Sequence, residues 1–346
     1  MSIVATFEMP RRLDDVRRLL DRLPEADQKA LAMTVAREPQ LTKPAGSLGR
    51  LEELAAWMSA WQGRHPPQVK DLRCLVFAGN HGVAALGVSA FPAEVTAQMV
   101  GNFQAGGAAI NQLCRSVGAK LRVVALSLDK PTADFTQKAA MSEAELMNAF
   151  RAGMKAVRPG TDLLCLGEMG IANTTSASAL ALAIFGGEAG DWTGAGTGVV
   201  GPALARKTEV VEMGVRRARK QGGDSLEMLR QLGGRELAAI AGATLAARFL
   251  RIPVLLDGFI CTAAASALHG VNPSALDHCQ VAHVSAEKAH RHLATALNKT
   301  ALLDLGLRLG EASGAALAAS IIKAAVACHG GMATFAEAAV SGKGHS

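Results

Sequence analysis

Apolar and polar positions change rhythm twice along the chain. Over the first seventy residues the apolar positions recur at helical spacing. Asp14 to Leu23 and Ala26 to Arg37 are charged and amphipathic, and Leu48, Leu51, Leu54, Ala55 and Met58 follow one face. From Leu72 the chain breaks into short apolar runs, each closed by a glycine-bearing or polar turn and followed by a helical segment. The runs are Leu72 to Phe77, Leu121 to Leu128, Asp162 to Leu166, Ile252 to Leu256 and Val281 to Val284. Strands alternating with helices need right-handed crossovers, so the pattern predicts an α/β fold with a mostly parallel, Rossmann-like sheet flanked by helices. After about Ser285 helical patterning returns, notably from Ala312 to Cys328. The expected division is a small helical domain drawn from both chain ends, residues 1–70 with 286–346, beside a large α/β catalytic domain over 71–285.

Composition narrows the class. With 346 residues, 49% hydrophobic and 19% charged, the chain has ordinary globular usage, which excludes collagen-like, disordered and disulfide-stapled proteins. The net charge of +6 is spread among interspersed residues, aromatics are 4% and tyrosine is absent, so a base-stacking surface for nucleic acid is not expected. Six cysteines lie scattered without a CxxC pair, mostly inside apolar runs, and read as reduced core residues of a cytoplasmic protein. The N-terminal residues lack the order of a secretory signal. The longest apolar stretches, near Ser176 to Gly187 and Leu237 to Leu250, fall short of the roughly 18 to 20 residues that span a bilayer. No membrane association is therefore expected. The 36 glycines point to many places where backbone approaches something closely.

In an open α/β sheet, ligands sit outside the carboxyl ends of the strands. After Phe77 comes AGNHGV, after Leu166 GEMGIANTT, after Leu256 DGF and after Val284 SAEK. Strand ends thus carry Asn80, His81, Glu168, Asn173, Asp257, Ser285 and Glu287. Turns favour Gly, Asn and Asp for conformational reasons alone. A carboxylate closing a run as apolar as LLCLGEMG is poorly explained that way and points to function.

Two further stretches carry chemistry. DWTGAGTGVVGP holds Gly194, Gly196, Gly198 and Gly201. Three of these match GxGxxG, but no apolar strand precedes them and no acidic residue follows at the distance that holds a ribose, so the dinucleotide fingerprint fails. Successive backbone N–H groups ahead of a helix would suit a phosphate, with Lys207 adding charge from one turn inside; a flexible loop with a surface lysine accounts for the stretch equally well. In LRLGEASGAALA, Glu311 enters a long small-residue helix, and the helix dipole is sufficient reason for it. Clearance from Gly310 and Gly314 also suits a general base whose pKa is raised by an apolar setting. Histidines 278, 283, 290 and 292 come with no metal-binding spacing and read as core or surface residues, and no G-x-S-x-G marks a serine nucleophile.

Taken in order, KPAGSLGRLEELA (Lys43 to Ala55), AGNHGVAALGVSAFPAEVTAQMV (Ala78 to Val100), GEMGIANTT (Gly167 to Thr175), PVLLDGF (Pro253 to Phe259), HVSAEK (His283 to Lys288) and LRLGEASGAALA (Leu307 to Ala318) closely resemble the nicotinate-nucleotide:dimethylbenzimidazole phosphoribosyltransferases. The likeness is collinear from about Lys43 to Thr334. It implies a homodimer that transfers phosphoribose from nicotinate mononucleotide to 5,6-dimethylbenzimidazole, with inversion at the anomeric carbon and neither metal nor cofactor. By motif position, the resemblance makes Glu311 the general base and Glu168 a second carboxylate near the ribose, and places Gln98 at the benzimidazole. Gly170, Asn173, Thr174, Gly196, Gly198 and Lys207 would hold the ribose phosphate, and Asp257 and Ser285 would line the same cleft. Asn80 stands where some relatives carry Asp, and Phe91 where a small polar residue can occur; both bear on the side that takes the base. Two other readings are weaker. A transferase using phosphoribosyl pyrophosphate would show an acidic pair with a Thr-Gly at a strand end, which is absent. A non-catalytic binding protein of the same fold would be expected to have lost one of Glu168 and Glu311.

Overall fold

The computed structural model describes residues 8–341. Each apolar run contributes a strand: β1 Leu72–Ala78, β2 Lys120–Ala125, β3 Leu163–Met169, β4 Val254–Leu256 and β5 Cys279–Val281. All pairings are parallel and the order is β2-β1-β3-β4-β5. This is a doubly wound α/β sheet, with its topological switch point between β1 and β3, where the chain leaves two neighbouring strands in opposite directions.

The strand bounds differ from the apolar runs for local reasons. β2 stops at Ala125 because Ser127 takes a φ of 49°, which ends the extended chain. β3 runs on through Glu168, so this carboxylate lies inside the strand and not in the turn after it. β5 ends at Val281, and the following residues turn to pair with another loop: Leu303 N donates to Ala282 O, Val284 N donates to Leu303 O, and His283 bridges Leu303. That pairing draws the segment before Glu311 across the strand ends.

Helices cover both faces. One core joins the helices Glu143–Ala156, Asn173–Phe185, Arg235–Phe249 and Phe259–His269 with Val16 and Leu20 of the first helix, Leu13–Leu20. A Cβ on Gly153 would lie 1.8 Å from Ala239 O, and one on Gly242 2.0 Å from Phe150 O. Only glycine lets these two helix backbones touch, which accounts for part of the glycine and alanine richness. The second core lies between the sheet and the helices Arg50–Gln62, Ala109–Val117 and Ser313–Gly331. The chain ends meet there, with Leu41 bridging Thr334. Helix Ser313–Gly331 is longer than the apolar stretches singled out above and is apolar enough to cross a membrane by composition, but Ala315, Ala316, Ala319 and Ile322 are buried against the sheet. It is the core helix of this layer.

Candidate active site

A cleft opens at the carboxyl ends of β3, β4 and β5, beside the switch point. It is lined by the start of helix Asn173–Phe185, the positive end of the helix dipole. Ala172 at a φ of 71° turns the chain sharply from β3 into that helix, so Asn173 and Thr174 both face the cleft. Asn173 serves an acidic flank and Thr174 a cationic one.

The cationic flank is built on Lys207. The amphipathic helix Pro202–Gln221 buries this residue completely. Its Nζ donates to Thr174 Oγ1 at 2.8 Å and to Gly194 O at 2.9 Å. Burial lowers the lysine pKa to about 8, with the Glu287 carboxylate pulling the other way. Gly196 is required here: at a φ of 55°, a Cβ would stand 2.7 Å from Thr174 Oγ1 and 2.8 Å from Lys207 Nζ. The loop therefore presses backbone against a buried ammonium, which a flexible loop with a surface lysine would not do.

The acidic flank gathers Glu168, Asp257 and Glu311. Glu168 accepts a hydrogen bond from the Asn173 side-chain amide. Burial raises its pKa to about 8 despite that amide, and the charges of Asp257, Glu236 and Glu311 push the same way. Glu311 N donates to Glu168 O at 3.2 Å, which fastens the two carboxylate-bearing segments together. Gly167 permits this, because a Cβ there would lie 2.1 Å from Ala312 N. Burial raises the Glu311 pKa to about 7, opposed by the Ile110 backbone amide and assisted by Asp257. The carboxylate thus meets the first turn of helix Ala109–Val117, while Glu311 itself precedes helix Ser313–Gly331 at a φ of 62°. Its Oε2 is buried without a hydrogen-bond partner, as is Asp257 Oδ2. Asp257 Oδ1 accepts from Ala315 N at 2.8 Å. The space left by Gly310 is taken by Glu168 and that left by Gly314 by His283, so these glycines serve neighbours of Glu311.

Glu168, Gly170, Asn173, Thr174, Gly196 and Ser285 line one cleft, with Lys207 and Asp257 immediately behind it. Ser285 Oγ accepts from Glu287 N at 3.2 Å. Gly198, at a φ of 123°, lies in the same loop but outside the lining. Asn80 turns away: its Nδ2 donates to Leu128 O at 2.9 Å. Gln98 and Phe91 are exposed, on helix Val95–Ala105 and on the loop before it. That loop touches the cleft rim through Ser89 Oγ, 3.3 Å from Thr197 Oγ1. Sequence reading left out Arg308 and Thr197 and took His283 for a core or surface residue; all three line the cleft, as does Glu287 from the strand-end set. Arg308 was legible only as part of the motif containing Glu311. His283 and His290 are buried and His292 stacks on Trp192 with ring centroids 4.5 Å apart. Among the described residues, no group of three or more His, Cys, Asp or Glu side chains is arranged to hold a metal ion.

Comparison with known proteins agrees with this architecture. The family model described as Phosphoribosyltransferase, DBI_PRT, matches residues 23–340. The chain is 60% identical over 329 residues to nicotinate-nucleotide–dimethylbenzimidazole phosphoribosyltransferase of Ruegeria pomeroyi, covering 95% of this chain and 97% of that one. It is 56% identical over 331 residues to the protein of that name from Methylocella silvestris, covering 96% and 97%. The crystal structure of the enzyme of this name from Thermus thermophilus superposes with a TM-score of 0.85 at 39% identity, covering 92% of this chain and 100% of that one. With the motifs, the doubly wound sheet and the strand-end cleft in agreement, the chain belongs to the nicotinate-nucleotide–dimethylbenzimidazole phosphoribosyltransferase family.

Proposed function

We propose that this protein transfers phosphoribose from nicotinate mononucleotide to 5,6-dimethylbenzimidazole, giving α-ribazole 5′-phosphate and nicotinate for the nucleotide loop of cobalamin. The observation that carries the reading is the cleft with two flanks: a buried ammonium pressed against a glycine loop and a helix N-terminus, beside carboxyl groups whose pKa values burial has raised to about 7 and about 8. The ribose phosphate binds Lys207, Thr174 and the backbone around Gly196 and Gly170, as anions do at helix N-termini. One benzimidazole nitrogen attacks the anomeric carbon from the face opposite nicotinate. Nicotinate leaves with the electron pair of the glycosidic bond, and Glu311 takes the proton from the other benzimidazole nitrogen. A pyridinium leaving group departs readily, so alignment of two flat rings about one carbon is the main requirement. Glu168 sits where a carboxylate offsets positive charge developing on the ribosyl centre.

The base binds on the side of Gln98 and Phe91, with Asp257 and Ser285 shaping the wall. Phe91, Val200, Leu305 and Leu309 are large exposed apolar side chains on loops near the cleft, a pattern that supports association of two copies as a homodimer. All six cysteines are free thiols, which suits a cytoplasmic protein. The test is incubation of the purified protein with nicotinate mononucleotide and dimethylbenzimidazole, followed by chromatography for α-ribazole phosphate. Absence of product would reject the reading, and an unchanged rate in Glu311→Gln would reject the role of Glu311.

A further inference from the structure

Four carboxyl groups converge behind the cleft: Glu168, Glu236, Asp257 and Glu311. Two of them face an imidazole and two do not. His81 Nε2 donates to Glu236 Oε1 at 2.5 Å, and the Ser176 hydroxyl lies 2.9 Å from His81 Nδ1, so both ring nitrogens are buried and paired, while Glu236 Oε2 is buried without a partner. His283 Nε2 stands 3.5 Å from Asp257 Oδ1, and both of its ring nitrogens are buried without another hydrogen-bond partner. Glycines keep room for both pairs. A Cβ on Gly234 would lie 2.3 Å from His81 Cε1, one on Gly79 2.3 Å from Glu236 Oε2, and one on Gly314 2.0 Å from His283 Cδ2.

We propose that His81 and His283 are positioning residues that hold the Glu236 and Asp257 carboxylates in place and thereby set how readily Glu168 and Glu311 exchange a proton. The inference rests on the roles given above to those two carboxylates. Carboxyl groups that share a buried site cannot all carry charge at low cost, and protons go first to those with the least compensation. His283 supports this directly: burial alone would lower its pKa, but Asp257 raises it above the ordinary histidine value. The other groups facing the cluster are the Asn173 amide on Glu168, the Ile110 amide on Glu311 and the Ala315 amide on Asp257. His290 lies 6.2 Å from His283 between ring centroids, and Asp304 also acts on His283. The thiols of Cys74 and Cys261 feel the charge of Asp257, and Arg308 lines the cleft.

The test is a titration of the full-length protein by 13C NMR of Asp and Glu carboxyl carbons from about pH 5 to about pH 9, a window above ordinary carboxyl values. Glu168→Gln, Glu311→Gln, Glu236→Gln and Asp257→Asn identify the lines. In the wild type, Glu168 and Glu311 titrate in this window. His81→Phe shifts the Glu168 line, and His283→Phe shifts both the Glu168 and the Glu311 lines. Should either phenylalanine variant fail to fold, Glu236→Gln and Asp257→Asn give a second reading: the Glu168 line shifts to lower pH in both, and the Glu311 line shifts in Asp257→Asn. Glu168 and Glu311 lines left unmoved in the folded histidine variants overturn the proposal. No substrate is used, so failure of the transferase reading shows separately, as missing product in the turnover assay.

Discussion

Lys207 and Glu311 are buried on two flanks of one cleft, and burial drives both toward neutrality: the lysine pKa falls to about 8 and the carboxyl pKa rises to about 7. Their surroundings differ. Lys207 already has two fixed uncharged acceptors, Thr174 Oγ1 and Gly194 O, and feels the Glu287 carboxylate, but no anion is hydrogen-bonded to it. Glu311 keeps a buried oxygen without a partner and has other carboxylates nearby, so what would relieve it is a proton or a positive charge. A bound phosphate completes the first flank in the ground state. The second is completed only as the attacking base sheds its proton and the ribosyl carbon becomes positive. Interactions made equally in the ground and transition states govern KM, and those made only in the transition state govern kcat. The comparison therefore assigns different kinetic consequences to neighbouring buried charges.

The largest effect expected is at the acidic flank. Glu311→Gln keeps the shape and removes the base, so kcat should fall by ~10²–10⁴-fold, the usual worth of a positioned general base, with KM for the nucleotide nearly unchanged. Steady-state kinetics at saturating dimethylbenzimidazole would measure both. Next comes Lys207→Met, which removes a charge-assisted contact to phosphate worth ~1.5–3 kcal/mol. KM for nicotinate mononucleotide should rise by ~10–100-fold, with a smaller change in kcat. If the two variants exchange these signatures, the division into a binding flank and a reacting flank is wrong.

Much of this arrangement is written locally in the chain. Parallel strands buried on both faces read as unbroken apolar runs, so β1 and β3 are visible from composition alone, and Glu168 stands out as a carboxylate within one. Glycine positions mark close approach but not to what: Gly310 and Gly314 looked like clearance for Glu311, yet they accommodate Glu168 and His283. Contacts between distant segments leave no such trace. Glu236 is the second residue of helix Arg235–Phe249, 155 residues from His81, and nothing in either neighbourhood signals the pairing. His283 reads as another histidine until the chain after β5 turns to pair with Leu303. Gln98 and Phe91 carry meaning only through the family motif, since both are exposed and lie outside the cleft lining.

A smaller effect is expected in the pH dependence of kcat/KM, which reports the free enzyme. Glu311 must be ionised to act as base, so activity should rise with pH through about 7. Lys207 must be protonated to attract phosphate, so activity should fall as pH passes about 8. In the residual activity of Glu311→Gln the rising limb should move toward about 8, where Glu168 ionises, and the falling limb should vanish from Lys207→Met. Bound phosphate holds the ammonium in its charged form, so the falling limb of kcat should lie at higher pH than that of kcat/KM. Coincident falling limbs would mean that Lys207 does not meet the phosphate.

The smallest effect is on stability, and it tests whether the acidic flank is strained before substrate arrives. Glu168 has a pKa near 8 in the folded protein, well above its ordinary value. The folded state therefore holds this proton more tightly than the unfolded chain does. Linkage then makes stability fall as pH rises from the ordinary carboxyl range toward about 8, because folding must either keep the proton or bury an extra charge. Glutamine carries no such charge and can still pair with Asn173. Glu168→Gln should leave the melting temperature near that of the wild type at about pH 5, where the carboxyl is protonated when folded, and raise it by a few degrees at about pH 8. A gain in stability at a group placed beside the reacting carbon is the expected mark of a site kept unfavourable for the sake of its chemistry. An equal shift at both pH values would instead trace the change to packing, and the strain would have to be sought at Glu311.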